Sequence, residues 1–232
     1  ITNYIMFDLN RPLHAYDADK INKEIIIRNS KKGETFEALD NKKYTLKSNM
    51  CAITDKTGVL GLGGIIGGTR SGTKISTKNI LLESAYFYPS EIRKTAKSLN
   101  IDTDAKYRFE RGIDPNSIKI GLELAMCMVL DICGGEASKL SFEGKLKKNK
   151  KAIHLNYDKF LNVIGFSIKS SEIKKILSSL GCTVKPGKKS IKVLPPSWRP
   201  DITEDIDLIE ELVRIKGYKN IPLIIPEKKN IK

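Results

Sequence analysis

The sequence predicts an α+β protein in two parts, a larger mixed α/β domain followed by a small helix-helix-hairpin domain. Three observations point there. The chain has 232 residues, enough for one large domain or two ordinary ones. Short β-branched runs separated by turn signals fill residues 1–60, whereas helical spacing takes over from Pro89 onward. A basic run, Lys145-Leu146-Lys147-Lys148-Asn149-Lys150-Lys151, interrupts both patterns. It reads first as a linker and second as a phosphate-contacting patch. The expected boundaries are 1–146, 147–222 and a tail or linker at 223–232.

In chain order, Ile1-Thr2-Asn3-Tyr4-Ile5-Met6-Phe7-Asp8-Leu9 reads as a strand in progress, and a start at Ile1 suggests a fragment. Ile25-Ile26-Ile27-Arg28 is a second strand, with turns at 32–34 and 40–43. Residues 51–54 and 79–82 are further strands. Pro89 suits a first helical turn, with Ile92, Ala96 and Leu99 inward before Asn100. Asp114-Pro115 should open a longer helix whose apolar face is Ile118, Leu122, Ala125, Met126, Val129 and Cys133, stopped by Gly134-Gly135. In the second part, Asn156 caps a short helix ending near Gly165. Ser170 opens another, with Ile173, Ile176, Leu177 and Leu180 inward and Gly181 as its stop. A hairpin turns at Pro186-Gly187. Residues 195–200 form a rigid extended segment. Asp201 and Glu204 have capping-box spacing ahead of a last helix through Lys216-Gly217. A helix-helix-hairpin of this size is winged-helix-like.

Net charge is +14, from 41 basic and 27 acidic residues. The excess is lysine scattered along the chain, so it supports a polyanionic partner such as RNA only weakly. No apolar run is long enough to span a bilayer, and no secretory signal is visible. Cys51, Cys127, Cys133 and Cys182 form no C-x-x-C pair, and His14 and His154 are too few to complete a zinc site. Buried, reduced thiols of a cytoplasmic protein are the expectation.

Four segments carry candidate chemistry. Gly61-Leu62-Gly63-Gly64-Ile65-Ile66-Gly67-Gly68 lacks dinucleotide-binding spacing, because Ile66 stands where the third glycine belongs. Two readings stand for it, a tightly packed or bulged strand and a pocket wall with free backbone N–H groups. His14 follows a rigid proline in the polar turn Arg11-Pro12-Leu13-His14-Ala15-Tyr16-Asp17. Glu83, in Leu81-Leu82-Glu83-Ser84-Ala85-Tyr86-Phe87, is a carboxylate among apolar residues and needs either an arginine or a ligand as partner. Thr103-Asp104-Ala105-Lys106-Tyr107-Arg108-Phe109-Glu110-Arg111-Gly112-Ile113-Asp114-Pro115 interleaves charge with aromatics, which packing alone does not explain.

Taken together and in this order, the four segments resemble the editing module of bacterial-type phenylalanyl-tRNA synthetase β-subunits. Pro196-Ser197-Trp198-Arg199-Pro200-Asp201-Ile202 and residues 207–218 resemble that subunit's next module, so the resemblance covers essentially the whole chain. It implies a fragment that hydrolyses Tyr-tRNA(Phe), the expected error of a phenylalanine-accepting site that rejects an added hydroxyl poorly. Glu83 would accept the phenolic hydroxyl, with help from backbone near Gly67 and Gly68. Thr103 and Ala105 would shape the wall, and His14 would hold the ester end and the attacking water. Asp104 and Arg108 would join in substrate binding. Arg11 departs from the usual wording and is expected at the pocket rim. No Ser-His-Asp or Cys-His arrangement is visible, which leaves direct water attack rather than an acyl-enzyme.

Asp201, Asp207, Glu210 and Glu211 lie on or beside one helix face. From spacing they read either as N-terminal acid complementing the helix dipole or as a hard-cation set. The resemblance implies the second, a Mg²⁺ site completed by the α-subunit. It further implies that ATP is used only by the full α/β enzyme. The partners it implies are that α-subunit, tRNA(Phe), and tyrosine or phenylalanine as a small ligand, with no membrane. A free-standing hydrolase and a non-catalytic RNA-binding scaffold are the competing readings.

Overall fold

The computed structural model describes residues 1–145 and 151–223. The chain divides into two compact units, Ile1–Lys147 and Lys148–Lys232. The basic run at 146–150 and the tail beyond 223 lie outside the described residues.

The first unit runs α1 (Thr2–Leu9), β1 (His14–Asp17), β2 (Ile26–Asn29), β3 (Thr35–Glu37), β4 (Lys43–Thr45), β5 (Cys51–Asp55), β6 (Gly58–Leu62), β7 (Ile66–Gly67), β8 (Ile80–Glu83), α2 (Pro89–Leu99), α3 (Asp104–Phe109) and α4 (Ser117–Cys133). Strands β2-β5-β6-β7 make one antiparallel sheet in that order, β3 pairs with β4, and β1 pairs with β8. Leu60, Leu62, Ile65, Phe87, Ile92, Ala96, Ile101 and Phe109 meet in one core. Phe87 and Phe109 stand edge to face, ring centroids 5.1 Å apart.

Residues 2–9 are a helix, not the expected strand. Eight residues with mixed apolar spacing do not separate the two periods. The chain buries only Ile5 and Met6 here, docks on α4, and stops at Asn10 in the left-handed region at φ 51°. Helix α2 follows expectation, with Pro89 in its first turn and left-handed Asn100 at its end. Helix α4 starts two residues later than Asp114-Pro115 suggests, because Asp114 turns the chain instead and its carboxylate accepts the Asn116 amide. It buries Ile118, Gly121 and Ala125, while Cys133 is exposed. Cys127 is exposed as well and Cys51 is half-buried, so of the four thiols only Cys182 is buried.

The second unit runs β9 (Ile153–Asn156), α5 (Tyr157–Ile164), α6 (Ser170–Ser179), β10 (Thr183–Pro186), β11 (Ser190–Leu194) and α7 (Asp205–Lys216). Strand β9 went unread in the sequence. It alternates buried Ile153 and Leu155 with exposed His154 and Asn156, and it adds to the hairpin edge to give the order β10-β11-β9. Leu155, Phe160, Leu177, Ile191, Leu208 and Leu212 form a separate core. The segment expected to be extended at 195–200 turns back on itself, with the Arg199 amide donating to Pro196 O at 3.2 Å. The capping box sits three residues later than read, with Glu204 as cap and Asp207 as its reciprocal partner.

Candidate functional site

One pocket of the first unit gathers His14, Gly67, Glu83 and Ala105 from four separated segments. It is lined further by Leu13, Tyr16, the turn from Gly61 to Ile66, Phe87 and Phe109, and it encloses about 80 Å³.

The β1–β8 ribbon sets its polar side. His14 and Glu83 are directly paired across the two strands, so both side chains leave the same face. Tyr16 lies two residues beyond His14 on that face, diagonal to Glu83. The Tyr16 hydroxyl donates to Glu83 Oε2 at 2.5 Å. The His14 and Tyr16 rings meet edge to face at 4.3 Å. Burial pushes the Glu83 carboxyl above its usual range, and the Tyr16 bond works against that rise. Burial, together with the Glu83 carboxylate, raises the Tyr16 phenol. His14 is pushed down by burial, which keeps its imidazole neutral at pH 7. Its Nε2 is buried with no hydrogen-bond partner among the described residues.

The glycine-rich stretch forms the opposite wall. It is a hairpin, β6 turning through residues 63–65 into β7. Gly67 has no side chain for a steric reason, since a β-carbon there would lie 2.7 Å from His14 Nε2. Gly68 packs instead between the carbonyls of Leu60 and Glu37 and does not line the pocket. The stretch is thus close-packed at Gly68 and a pocket wall at Gly67, while the amides of Gly63, Ile65 and Gly68 are bonded to the carbonyls of Cys51, Leu62 and Leu60 rather than free.

Thr103 does not line the pocket either. Its hydroxyl donates to the Ile65 carbonyl at 2.7 Å and accepts from the Lys106 amide at 3.1 Å. It caps α3 and ties the glycine turn to that helix, which brings Ala105 to the wall. Asp104 and Arg108 lie outside the lining and bond to each other, and the Arg108 guanidinium sits 4.9 Å from the centre of the Phe7 ring. Tyr16, Phe87 and Phe109 went unnamed as site residues in the sequence. Period-two spacing from His14 would have found Tyr16 had residues 14–17 been read as a strand.

Arg11 is not at the rim. It is fully buried and bonds Ala85 O at 2.8 Å, Ser117 Oγ at 2.7 and 2.9 Å, and the Asp114 carbonyl. Burial lowers its pKa to about 10, with Asp114 opposing, so it remains charged at pH 7. It fastens the start of α4 to the segment that enters β1.

The four carboxylates of the second unit do not fit a cation in this chain. Arg199 binds Asp201 at 2.6 Å and Glu211 at 2.8 Å, and Arg214 also binds Glu211. Asp207 accepts the Thr203 and Glu204 amides, each at 2.8 Å. Glu210 is exposed. Among the described residues no group of three or more His, Cys, Asp or Glu side chains is placed to hold a metal. Asp207 serves the start of the helix, as the first of the two readings has it.

Comparison with known proteins places these features. Residues 1–134 match the B3/4 domain family, and residues 153–218 match the tRNA synthetase B5 domain. The phenylalanine–tRNA ligase beta subunit of Rhodospirillum rubrum is 45% identical over 226 residues, 97% of this chain and 28% of that protein. The beta subunit from Paramagnetospirillum magneticum is 43% identical over 222 residues, 96% of this chain and 28% of the relative. An N-terminal fragment of the phenylalanyl-tRNA synthetase beta-subunit from Pyrococcus horikoshii gives a TM-score of 0.46 at 20% identity, over 94% of this chain and 64% of that one. The chain thus spans just over a quarter of the length of the curated relatives it matches. The motif resemblance to synthetase β-subunits is borne out, and with its first 134 residues matched throughout, the chain belongs to the B3/4 domain family.

Proposed function

We propose that the first unit removes tyrosine from mischarged Tyr-tRNA(Phe), in the service of a phenylalanine–tRNA ligase formed with an α-subunit in the cytoplasm. One observation carries this reading. A neutral imidazole and a carboxylate face each other on one ribbon, across from a glycine wall, in a single pocket.

Glu83 accepts the phenolic hydroxyl. A buried carboxylate left without that donor penalises phenylalanine, so the pocket selects the error rather than the correct product. Ala105 leaves room for the ring. His14, neutral and with Nε2 unpaired, holds the attacking water and the ester end. Water oxygen bonds to the carbonyl carbon, the bond to the ribose oxygen breaks, and the proton passes from water to that ribose oxygen. Tyrosine and free tRNA(Phe) leave. No side chain needs to form a covalent intermediate, so positioning supplies most of the rate. ATP and Mg²⁺ belong to aminoacylation by the complete α/β enzyme, and no step here runs through either.

The test is hydrolysis of Tyr-tRNA(Phe) and Phe-tRNA(Phe) by the 232-residue chain and by its His14→Ala and Glu83→Ala forms. The expected result is selective loss of Tyr-tRNA(Phe), reduced about a hundredfold by either change. Equal rates in all three proteins would refute the assignments and favour a non-catalytic scaffold.

A further inference from the structure

The Tyr16–Glu83 bond raises a question about the carboxylate that the proposed reading assigns to the substrate. Glu83 already has a phenol on Oε2, supplied by its own chain. Oε1 has no hydrogen bond to any described residue. The bond is fixed by strand geometry rather than by chance, since the two residues are diagonal neighbours on one face of β1–β8. Tyr16 itself is held in place. It is buried, its ring abuts His14, and its backbone bridges to Gly72.

We infer that Tyr16 is a specificity-determining residue of the pocket, its hydroxyl occupying one oxygen of Glu83 so that the other is aimed at a single incoming phenol. This inference rests on the proposed function. A carboxylate free on both oxygens could rotate, take up water, or take up a proton in an apolar setting. With Oε2 tied, Glu83 has one orientation and one vacant acceptor. The bond also favours the ionised carboxyl against the burial that disfavours it. The other titratable groups facing this point are His14 on β1, neutral through burial, and Cys51 on β5, whose thiol is pushed up by burial and by Glu83. Neither supplies a positive charge at neutral pH, so Tyr16 is the group here that favours the ionised carboxyl against burial.

Tyr16→Phe removes one oxygen and leaves the ring packing intact. Two measurements on the 232-residue chain and this variant test the role. Binding of L-tyrosinamide and L-phenylalaninamide is followed by NMR, and the Glu83 carboxyl is titrated by ¹³C NMR. The expected outcome is an about tenfold loss in the preference for tyrosinamide, as for one hydrogen bond to a charged group. The Glu83 titration should move to higher pH at the same time. If the parent prefers tyrosinamide and the variant keeps that preference and the same titration, Tyr16 has no such role. Tighter tyrosinamide binding by the variant would make Tyr16 a competitor for Glu83 and overturn the inference too. A parent that does not distinguish the two amides refutes the phenol reading itself, and the specificity role falls with it.

Discussion

At the scale of single residues, the pocket depends on what is missing at position 67. The His14 imidazole occupies the space a side chain would take there. Gly67→Ala should therefore dislodge His14 while leaving the core untouched. The expected result is an about hundredfold drop in Tyr-tRNA(Phe) hydrolysis with little change in melting temperature, read from single-turnover rates and calorimetry. His14, Gly67, Glu83 and Ala105 could be named from the sequence because each lies inside a run of distinctive wording. Tyr16 could not, although it belongs to the same run as His14. Its role depends on residues 14–17 being extended, and a proline followed by polar residues reads as a turn. Thr103 was named for a wall that it supports from behind, since a sequence shows which residues neighbour a site but not which way a hydroxyl turns.

At the scale of elements, the hairpin of β5 and β6 is secured by one side chain. The Asp55 carboxylate, with no exposed surface, accepts from the amides of Asn22, Thr57 and Gly58 and from Arg70. Burial would raise its pKa, but the bonds from Arg70, Asn22 and Thr57 outweigh it and hold the group well below the usual carboxylate range. The stabilisation is complete above the unfolded value, about pH 4 for aspartate, and is lost as pH falls through the depressed folded one. Asp55→Ala should cost about 3 kcal/mol at pH 7 by leaving three amides without their acceptor and Arg70 without its carboxylate, with only Thr57 Oγ1 and the Gly58 carbonyl still bonded to it. Urea titrations at pH 7 and pH 3 should show the gap between parent and variant narrowing in acid. Helix boundaries were the least legible elements. Residues 2–9 form a helix because α4 offers a surface to dock on, and no local pattern announces a partner more than a hundred residues away. The long helices with proline starts or glycine stops were readable because those residues act locally.

At the scale of the whole molecule, the two units have separate cores. Their α+β character was readable from the change of period along the chain, whereas the third strand of the second sheet, at residues 153–156, was not. Four residues are too few for alternation to stand out, and only the hairpin's open edge recruits them. A large-to-small change in one core should leave the other intact. Leu177→Ala, at a fully buried site, is expected to destabilise the second unit by about 3 kcal/mol, lowering its melting temperature, and to leave the first unit's transition unchanged. Differential scanning calorimetry resolves the two.

The cross-strand contact of Tyr16 and Glu83 joins residues 67 positions apart, and Thr103 closes a further loop of 38 onto Ile65. Synthesis delivers these residues in sequence, N-terminal first, at about 5–20 per second. His14 leaves the ribosome seconds before the glycine hairpin that covers it, and Ala105 and Phe109 come last. Through that interval the imidazole has no far wall and water reaches it; when Glu83 follows, the glycine hairpin is already made and only the side carrying Ala105 and Phe109 is still to come. The nascent chain therefore has both reactive groups before their compartment is closed, and it is the last wall, not the first, that the carboxylate waits for.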